Sequence, residues 1–397
     1  MNARRVAWEV VRRTFDRGAY TDRAFPAEAQ RAGLDTRERR QAMRLAYGTV
    51  QRLRTLDAAI EDLGGRPPMR LQAPLRHALR VSAYELLFDS GVPARAAVSE
   101  GVELVRAVAG ERVSGLANAV LRRIAEAPDG WLGALPVAVR LSYPDWVIEE
   151  WVDLLGAADA EQLGEAQNRP SEPAVRVNTL RGEVPDLGIR THGDPDLPEA
   201  LVLDEPFDVL GSPAFRDGLI WPQSRSSMHV GRAVAAEPGM RVLDLCAAPG
   251  GKSGHLAALM EDRGQLVCVE RHRGRAAELE RTLRRLGVTC ARVEVADVLD
   301  VAGGGYDRIL LDPPCSGLGV LSGRPDARWR RQAADVTELA GIQRAMLEHA
   351  RSLLEPDVRL VYSVCTLTRA EGEGVVAPGQ MLLPQATGSD GFYVAVA

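Results

Sequence analysis

The segment VLDLCAAPGGK, residues 242–252, indicates the fold of the C-terminal part of the chain. Its first residues have the apolar character of a buried strand, small residues follow as a loop, and a helical segment begins at Lys252. In a strand–loop–helix unit of this kind, the backbone can approach a ligand and the helix N-terminus faces it. The spacing is neither GxGxxG nor GxxxxGK[ST], so the segment does not predict a dinucleotide or phosphate loop.

Short apolar segments alternate with helical ones from residue 239 onward. The pattern predicts strands at 241–245, 265–269, 290–295, 307–311 and 358–363. It predicts helices at 252–262, 272–286 and 335–354. Such alternation is typical of a parallel sheet with helices on both faces. Ligands of these sheets bind at the carboxyl ends of the strands, where the loops lie.

Polar side chains follow several of these strands. Glu270 ends the second strand, where an acid can bind both hydroxyls of a ribose. Asp297 ends the third strand, where it can accept a hydrogen bond from an adenine amino group. Together with the loop after the first strand, these acids predict a site for an adenosyl ligand without phosphates.

Five cysteines are present, none in a CxxC pair and none near a histidine cluster, so neither a disulfide framework nor a metal site is expected. Cys268 and Cys290 lie inside apolar strands and are predicted to be core residues. Cys246 lies in the loop, where packing is the more plausible role. Cys315, in the run Asp312-Pro-Pro-Cys315, and Cys365 each follow a strand at the mouth of the predicted pocket, and these two are candidates for chemistry.

Three runs, LDLCAAPGGK (243–252), DPPCSGLGV (312–320) and YSVCT–EGE (362–373), closely resemble the RNA cytosine-5 methyltransferase family, the Nop/Sun/Fmu group. The resemblance implies that Cys365 is the nucleophile and that Cys315 assists release of the product. It implies a catalytic set of Cys365, Cys315, Asp312 and Lys252. It also implies that S-adenosylmethionine is bound by Cys246, Ala247, Ala248, Pro249, Gly250, Gly251, Lys252, Glu270, Asp297 and Asp312.

A cysteine nucleophile suits this chemistry, because carbon 5 of cytosine is too poor a nucleophile to take a methyl group directly. Addition of a thiolate at carbon 6 makes the ring an enamine, whose carbon 5 can attack the methyl group. A free thiol has a pKa of about 8.5, so a nearby cation such as Lys252 is expected to favour the thiolate. Lys252 is the only lysine beside 48 arginines, which predicts a site that needs a compact charge.

The N-terminal part of the chain differs in pattern and charge. Apolar residues recur at helical spacing at 4–17, 36–62, 74–89, 95–109 and 113–127, with a helix start signal at Asp35-x-x-Glu38, and nothing in 1–128 alternates like a strand. Residues 1–130 hold 22 Arg and 16 Asp and Glu, a balance of +6, whereas residues 131–397 carry −11. A basic module suits a nucleic-acid partner. The runs RLAYGTVQRLRTLDAAI (44–60) and ANAVLRRI (117–124) resemble the RNA-binding NusB domain.

These patterns predict a multidomain protein of three parts: an all-α NusB-like domain (1–128), a small α/β connector domain (129–225) and a Rossmann-like α/β methyltransferase domain (226–397). The combination is similar to the subgroup that methylates 16S ribosomal RNA, methyltransferase B. That likeness implies RNA as the partner, in particular 16S ribosomal RNA before full subunit assembly. We expect a cytoplasmic monomer without a membrane segment, since no apolar run approaches the ~18–20 residues that span a bilayer.

Three alternatives differ from this interpretation. Transfer RNA is a second possible substrate for the same chemistry. A DNA cytosine methyltransferase would use the cysteine of the Pro-Cys motif, Cys315, and would not need Cys365. A non-catalytic RNA-binding assembly factor would need the helical domain alone. The chain also departs from the family pattern at Ser224, Val364 and Gly372, where Asp, Thr and Asn are usual.

Overall fold

The computed structural model describes residues 2–89, 91–183, 186–354 and 358–397. The chain divides into two compact units, one formed by Met1–Glu149 with Gly323–Arg330 and one formed by Glu150–Ser322 with Arg331–Ala397. Within the described ranges, no helix combines the length and the apolar character that crossing a membrane requires. The three-domain division at residues 128 and 225 stays a prediction.

The first unit is helical, as the periodicity of residues 1–128 predicts. Its helices are α1 Ala3–Arg17, α2 Thr21–Ala32, α3 Thr36–Gln51, α4 Leu53–Ala58, α5 Ala73–Phe88, α6 Ala94–Ala109, α7 Ser114–Ala125, α8 Trp131–Ala134, α9 Val137–Leu141, the start of α10 Asp145–Leu155, and α16 Ala327–Arg330. The predicted start of α3 is confirmed, because the Asp35 side chain accepts from the Glu38 N–H at 2.8 Å in a capping box. The sequence did not indicate α2, which contains Pro26 in its interior.

Helices α1, α3, α5, α6 and α7 pack together around one apolar core. Residues at helical spacing supply it, including Val6, Val10, Leu45, Leu79 and Leu121. Residues 323–330 belong to this unit although they follow the DPPCSGLGV run in sequence. Trp329 donates from Nε1 to the Val50 carbonyl at 2.6 Å, and the buried Arg328 guanidinium lies 4.1 Å from the Tyr143 ring centroid.

The second unit contains a small antiparallel sheet of four strands in the order β2-β3-β1-β4. Its strands and the helices near it in sequence are α11 Ala157–Ala166, β1 Ala174–Val177, β2 Thr191–Gly193, β3 Ala200–Leu203, α12 Pro213–Arg216 and β4 Ile220–Pro222. The sequence pattern predicts strands at 174–179, 201–204 and 218–221, which correspond to β1, β3 and β4. The three-residue strand β2 is too short and too exposed for its alternation to be visible.

A seven-stranded sheet in the order β10-β11-β9-β8-β5-β6-β7 forms the rest of the second unit. Its elements are α13 Arg225–Ala233, β5 Arg241–Leu245, α14 Gly251–Leu259, β6 Gln265–Val269, α15 Arg273–Leu286, β7 Ala291–Glu294, β8 Arg308–Leu311, α17 Ala333–Ser352, β9 Arg359–Val364, β10 Gln380–Leu382, α18 Pro384–Thr387 and β11 Phe392–Val396. The predicted parallel strands are confirmed, and β10 and β11 add an antiparallel edge.

Both faces of this sheet are covered, which explains its nearly continuous apolar strands. On one face Leu243 and Leu245 join a cluster that includes Met346 and Leu347 of α17. On the other face Val242 joins a cluster that includes residues of α13, α14 and α15, such as Val230, Leu256 and Leu279. The predicted fold class, an all-α part, a small α/β part and a Rossmann-like sheet, is therefore confirmed.

Candidate active site

Four parallel strands of the large sheet end at the same edge. Leu245 of β5 pairs with Val269 of β6 and with Leu311 of β8, and Leu311 pairs with Tyr362 of β9. The register therefore brings together the residues that follow these positions, which are Cys246, Glu270, Asp312 and Ser363. In doubly wound sheets this edge is where ligands bind.

The loop between β5 and α14 has an unusual backbone. Cys246 has φ 75° and Gly250 has φ 104°, both in the left-handed region. A Cβ at Gly250 would also lie 2.9 Å from Leu279 Cδ1, so glycine is required there for two reasons. The N–H groups of Cys246 and Ala247 both donate to the Val269 carbonyl, at 3.1 and 2.9 Å. The loop is thereby tied to the end of β6.

Two carboxylates follow the neighbouring strands β6 and β7. Glu270 is 4% exposed, its Oε1 accepts from the His272 N–H at 2.8 Å, and its Oε2 lies 3.5 Å from Arg275 Nε. Asp297 accepts from the Leu299 N–H at 3.1 Å. A carboxylate offers about four acceptor sites, so each can also accept from a hydroxyl or amino group of a ligand. These two acceptors fit the ribose hydroxyls and the adenine amino group of an adenosyl ligand.

Asp312 holds Lys252 at the end of β8. Its Oδ2 lies 2.8 Å from Lys252 Nζ, and its Oδ1 accepts from the Ser363 hydroxyl at 2.9 Å. Burial alone would lower the pKa of Lys252, but the charge and hydrogen bond of Asp312 outweigh it and raise that pKa. The ammonium also lies 5.2 Å from the Phe392 ring centroid. Lys252 is therefore charged, and its ammonium is fixed in place by Asp312.

The two candidate thiols are in contact. Cys315 follows β8, Cys365 follows β9, and their Sγ atoms are 3.4 Å apart. The hydrogen bond to Cys365, burial and nearby negative charge raise the pKa of Cys315 well above its ordinary value. Cys315 therefore keeps its proton, and its S–H can donate to the Cys365 sulfur.

Glu371 connects the segments that carry these thiols. It is fully buried, and its carboxylate accepts from the Ser316 N–H at 2.8 Å, from the Ser316 hydroxyl and from Gln343 Nε2 at 3.0 Å. The Ser316 hydroxyl also lies 2.6 Å from Thr366 Oγ1. Ser316 and Thr366 directly follow Cys315 and Cys365. One carboxylate thus ties together the two segments that carry the thiols.

The remaining cysteines lack the environment of a nucleophile. Burial is the main cause that raises the pKa of Cys246, Cys268 and Cys290, the last to about 12. A thiol becomes reactive as a thiolate, so burial makes these three poor nucleophiles. Among the residues the structure describes, no group of three or more His, Cys, Asp and Glu side chains could hold a metal ion.

The structure places the predicted site residues at one edge of the sheet and joins Lys252 to Asp312 and Cys315 to Cys365 by direct contact. Glu270 is linked to the loop through Arg275, whose Nη2 donates to the Ala248 carbonyl at 2.8 Å. Three further residues contact the site residues or the segments that carry them and were not among those predicted from the sequence: Ser363, Glu371 and Phe392. The EGE run signalled Glu371, whereas a strand serine and an aromatic residue from an edge strand carry no local signal.

The three departures from the family pattern have structural explanations. Ser224 caps α13, accepting from the Ser227 N–H at 3.4 Å. Val364 is fully buried and belongs to the core of the sheet. At Gly372 a Cβ would lie 3.2 Å from the Tyr393 ring, so that aromatic residue occupies the space beside the glycine.

Three family models match successive parts of the chain. The NusB family matches residues 1–126, the ferredoxin-like domain of RsmF/B-like methyltransferases matches 143–210, and the 16S rRNA methyltransferase RsmB/F family matches 232–379. The NusB-like interpretation of the N-terminal helices is confirmed by the first of these matches.

Whole-chain comparisons agree with the family models. The probable ribosomal RNA small subunit methyltransferase B of Synechocystis is 34% identical over 95% of this chain and 88% of that protein. The ribosomal RNA small subunit methyltransferase B of Vibrio cholerae is 31% identical over 100% of this chain and 97% of that protein. The crystal structure of PH0851 has a TM-score of 0.82 at 23% identity, covering 100% of this chain and 98% of that one, and supports the fold. Since these relatives match almost from end to end, the chain belongs to the 16S rRNA methyltransferase RsmB/F family.

Proposed function

We propose that this protein transfers a methyl group from S-adenosylmethionine to carbon 5 of a cytosine in 16S ribosomal RNA, through a covalent bond between Cys365 and the base. The observation that carries the proposal is the pair of thiols 3.4 Å apart, at the ends of two adjacent parallel strands. A methyltransferase that methylates a nitrogen or oxygen of RNA does not need such a pair, because those atoms are nucleophilic enough to take the methyl group directly.

The cofactor is assigned to the residues at the strand ends. Glu270 would accept hydrogen bonds from the ribose hydroxyls, and Asp297 would accept one from the adenine amino group. The backbone of the loop from Cys246 to Lys252 would line the cofactor pocket. When bound, S-adenosylmethionine supplies an electrophilic methyl group. Asp312 lies between this region and the thiols, where it would also face the target base.

Cys365 would add to carbon 6 of the cytosine and thereby make carbon 5 nucleophilic. Two neighbours would favour its thiolate. The S–H of Cys315, whose Sγ lies 3.4 Å away, can donate to its sulfur, and the charge of Cys365 is one of the causes that raise the pKa of Lys252. Asp312 would stabilise the ring as it changes charge, because it is held in place by Lys252 and Ser363.

Cys315 would act after methyl transfer, taking the proton from carbon 5 so that Cys365 can be eliminated. The causes of its raised pKa explain why it would act late. The leading cause of its raised pKa is the hydrogen bond to Cys365, and the Cys365 charge adds to it. Both are weakened once Cys365 is bonded to carbon, so the pKa of Cys315 falls. Cys315 then releases its own proton to water, and its thiolate can accept the proton from carbon 5.

RNA as the substrate is supported by the NusB-family part of the chain and by the names of its relatives, which are ribosomal RNA methyltransferases. The extruded base must leave its stack, which costs on the order of a few kcal/mol and favours a single-stranded or loop region. A transfer RNA substrate remains the second candidate.

Bisulfite sequencing of RNA from a strain lacking the gene tests the proposal. One cytosine of 16S ribosomal RNA should lose its protection in that strain and regain it with the wild-type protein. Cys365→Ala should not restore it, whereas Cys290→Ala, which removes a half-buried thiol outside the site, should. Protection that changes in transfer RNA instead would favour the second candidate, and unchanged protection in both RNAs would refute cytosine methylation.

A further inference from the structure

A cavity of about 400 Å³ lies in the second unit beside the segment that follows Cys315. Its walls come from the end of α11, from residues 169–171, from the stretch 319–322 and from α18, which packs against α11. Its lining does not include the loop 246–252, so it is separate from the proposed cofactor site. Cavities of this size accommodate a small ligand or one nucleotide-sized group.

Gly319 joins this cavity to the proposed nucleophile. It lines the cavity, its N–H donates to the Cys365 carbonyl at 3.0 Å, and its carbonyl accepts from the Gly391 N–H at 2.8 Å. A Cβ at this position would lie 2.1 Å from the Gly391 oxygen, so only glycine permits the approach. The wall of the cavity is therefore hydrogen-bonded directly to the backbone of Cys365.

The lining is suited to a base and a phosphate. The polar lining includes three glutamines, three serines and the carboxylate of Glu165; the glutamines are Gln162, Gln167 and Gln385, and the serines are Ser171, Ser322 and Ser389. Gln385 Oε1 is buried, so a ligand in the cavity reaches it only after the side chain rotates. Because that oxygen has no hydrogen-bond partner among the described residues, the rotation breaks no hydrogen bond at it. Arg169 also lines the cavity with a side chain that is 78% exposed, and its nearest carboxylate oxygen, from Glu165, is 3.9 Å away.

We propose that this cavity receives the nucleotide that flanks the target cytosine, with its base against the amide of Gln385 and its phosphate near Arg169. The inference rests on the proposed RNA methylation. When the target base is extruded, its neighbour loses a stacking partner and exposes hydrogen-bonding edges. Amide side chains bind such edges through paired donors and acceptors, and arginine binds phosphate. The cavity thereby gives the enzyme a preference for sequence next to the target.

The test uses the full-length protein and a nine-nucleotide RNA centred on the cytosine found by bisulfite sequencing. Two further RNAs carry an abasic site immediately 5′ or 3′ of that cytosine. Gln385→Ala should lower kcat/KM about tenfold on the intact RNA, the size expected from losing one hydrogen bond. It should have no effect on one of the two abasic RNAs, because the partner base is already missing. Arg169→Ala should lower kcat/KM on all three RNAs, whereas Arg190→Ala, an exposed arginine outside the cavity, should not.

Equal losses for Gln385→Ala on the intact RNA and on both abasic RNAs, or no loss on any, would overturn the inference. Gln162→Ala serves as a second variant if Gln385→Ala lowers the melting temperature. Failure of the proposed function is separately visible as absence of methyl transfer by the wild-type protein. In that case the affinity of the same variants is compared by fluorescence anisotropy with oligocytidine RNA, with and without an internal abasic site. Gln385→Ala should again weaken binding of the intact RNA and have no effect on the RNA that lacks the base.

Discussion

The Sγ atoms of Cys315 and Cys365 lie 3.4 Å apart although 50 residues separate them in the chain. Their hydrogen bond allows one sulfur to hold a proton while the other carries charge, so two residues of the same type can take different roles. The roles proposed for them lead directly to a test.

Cys315→Ala should still form the bond between Cys365 and the base but fail to resolve it. The variant should therefore accumulate a protein–RNA adduct that survives denaturing gel electrophoresis, with turnover reduced at least about a hundredfold, as for loss of a general base. Cys365→Ala should bind the cofactor with unchanged affinity and form no adduct, and the double variant should form none. An adduct in Cys365→Ala that vanishes in Cys315→Ala would reverse the roles and favour the DNA-methyltransferase-like use of the Pro-Cys motif.

Glu270→Ala should weaken S-adenosylmethionine binding by about ten- to a hundredfold, the loss expected for hydrogen bonds to a charged group. Titration calorimetry measures the affinity, and the melting temperature reports whether the variant is folded. Glu278→Ala, an exposed glutamate on α15, is the matched control. Unchanged affinity in Glu270→Ala would remove this residue from the cofactor site.

Glu371→Ala should reduce both stability and turnover, because it leaves the Ser316 N–H and the Gln343 amide without their acceptor in a buried place. Each such loss costs about 1–3 kcal/mol. Glu371→Gln keeps one acceptor oxygen and should recover most of the stability. If Glu371 positions the thiols, Glu371→Gln should nevertheless keep a reduced kcat with an unchanged KM, measured by methyl transfer. Full activity in Glu371→Gln would limit Glu371 to a structural role.

The buried carboxyl group of Asp244 should make the free energy of unfolding depend on pH. Burial raises its pKa from an ordinary 3.8 to about 7, with the charge of Asp312 adding to the shift and the Ser253 hydroxyl opposing it. Between these values the folded protein holds a proton that the unfolded chain has released, so the contribution of Asp244 to stability falls as the pH rises toward 7. Asp244→Asn cannot titrate.

The melting temperature of Asp244→Asn, minus that of the wild type, should therefore increase from pH 5 to pH 8. Asp300→Asn, which changes an exposed aspartate, provides the comparison and should give a flat difference. A flat difference for Asp244→Asn as well would mean that Asp244 is ionised throughout this range.

The basic first unit predicts a salt-dependent contribution to RNA binding. Arg37 and Arg40 are exposed on α3. If both contact phosphates, the Arg37→Ala, Arg40→Ala double variant should reduce the slope of log K against log salt by about 1.4, since each contact to single-stranded RNA contributes about 0.7. Filter binding of the full-length protein to 16S ribosomal RNA at several salt concentrations measures it. An unchanged slope would exclude Arg37 and Arg40 from phosphate contact. The control is the Arg190→Ala, Arg263→Ala double variant, which should leave the slope unchanged.

Much of the fold follows from local pattern. The apolar periods of the N-terminal helices and of the parallel strands are visible in sequence, because each element must bury one face or both. The loop of residues 246–252 and the strand-end positions of Glu270, Asp312, Cys315 and Cys365 were likewise predictable. The single lysine marks a site where the structure places a compact charge between Asp312 and Phe392.

Other features depend on contacts between residues that are distant in sequence. No local pattern indicates that Glu371 accepts from Ser316, that Trp329 packs with the first unit, or that β11 pairs with β9. Spacing and burial act over a few residues, so local pattern was enough to predict most helices and strands and the residues at the strand ends. The 3.4 Å between the two thiols is a property of the tertiary structure, because it depends on the register of β8 and β9, in segments also joined by a buried carboxylate 55 residues from the serine it binds.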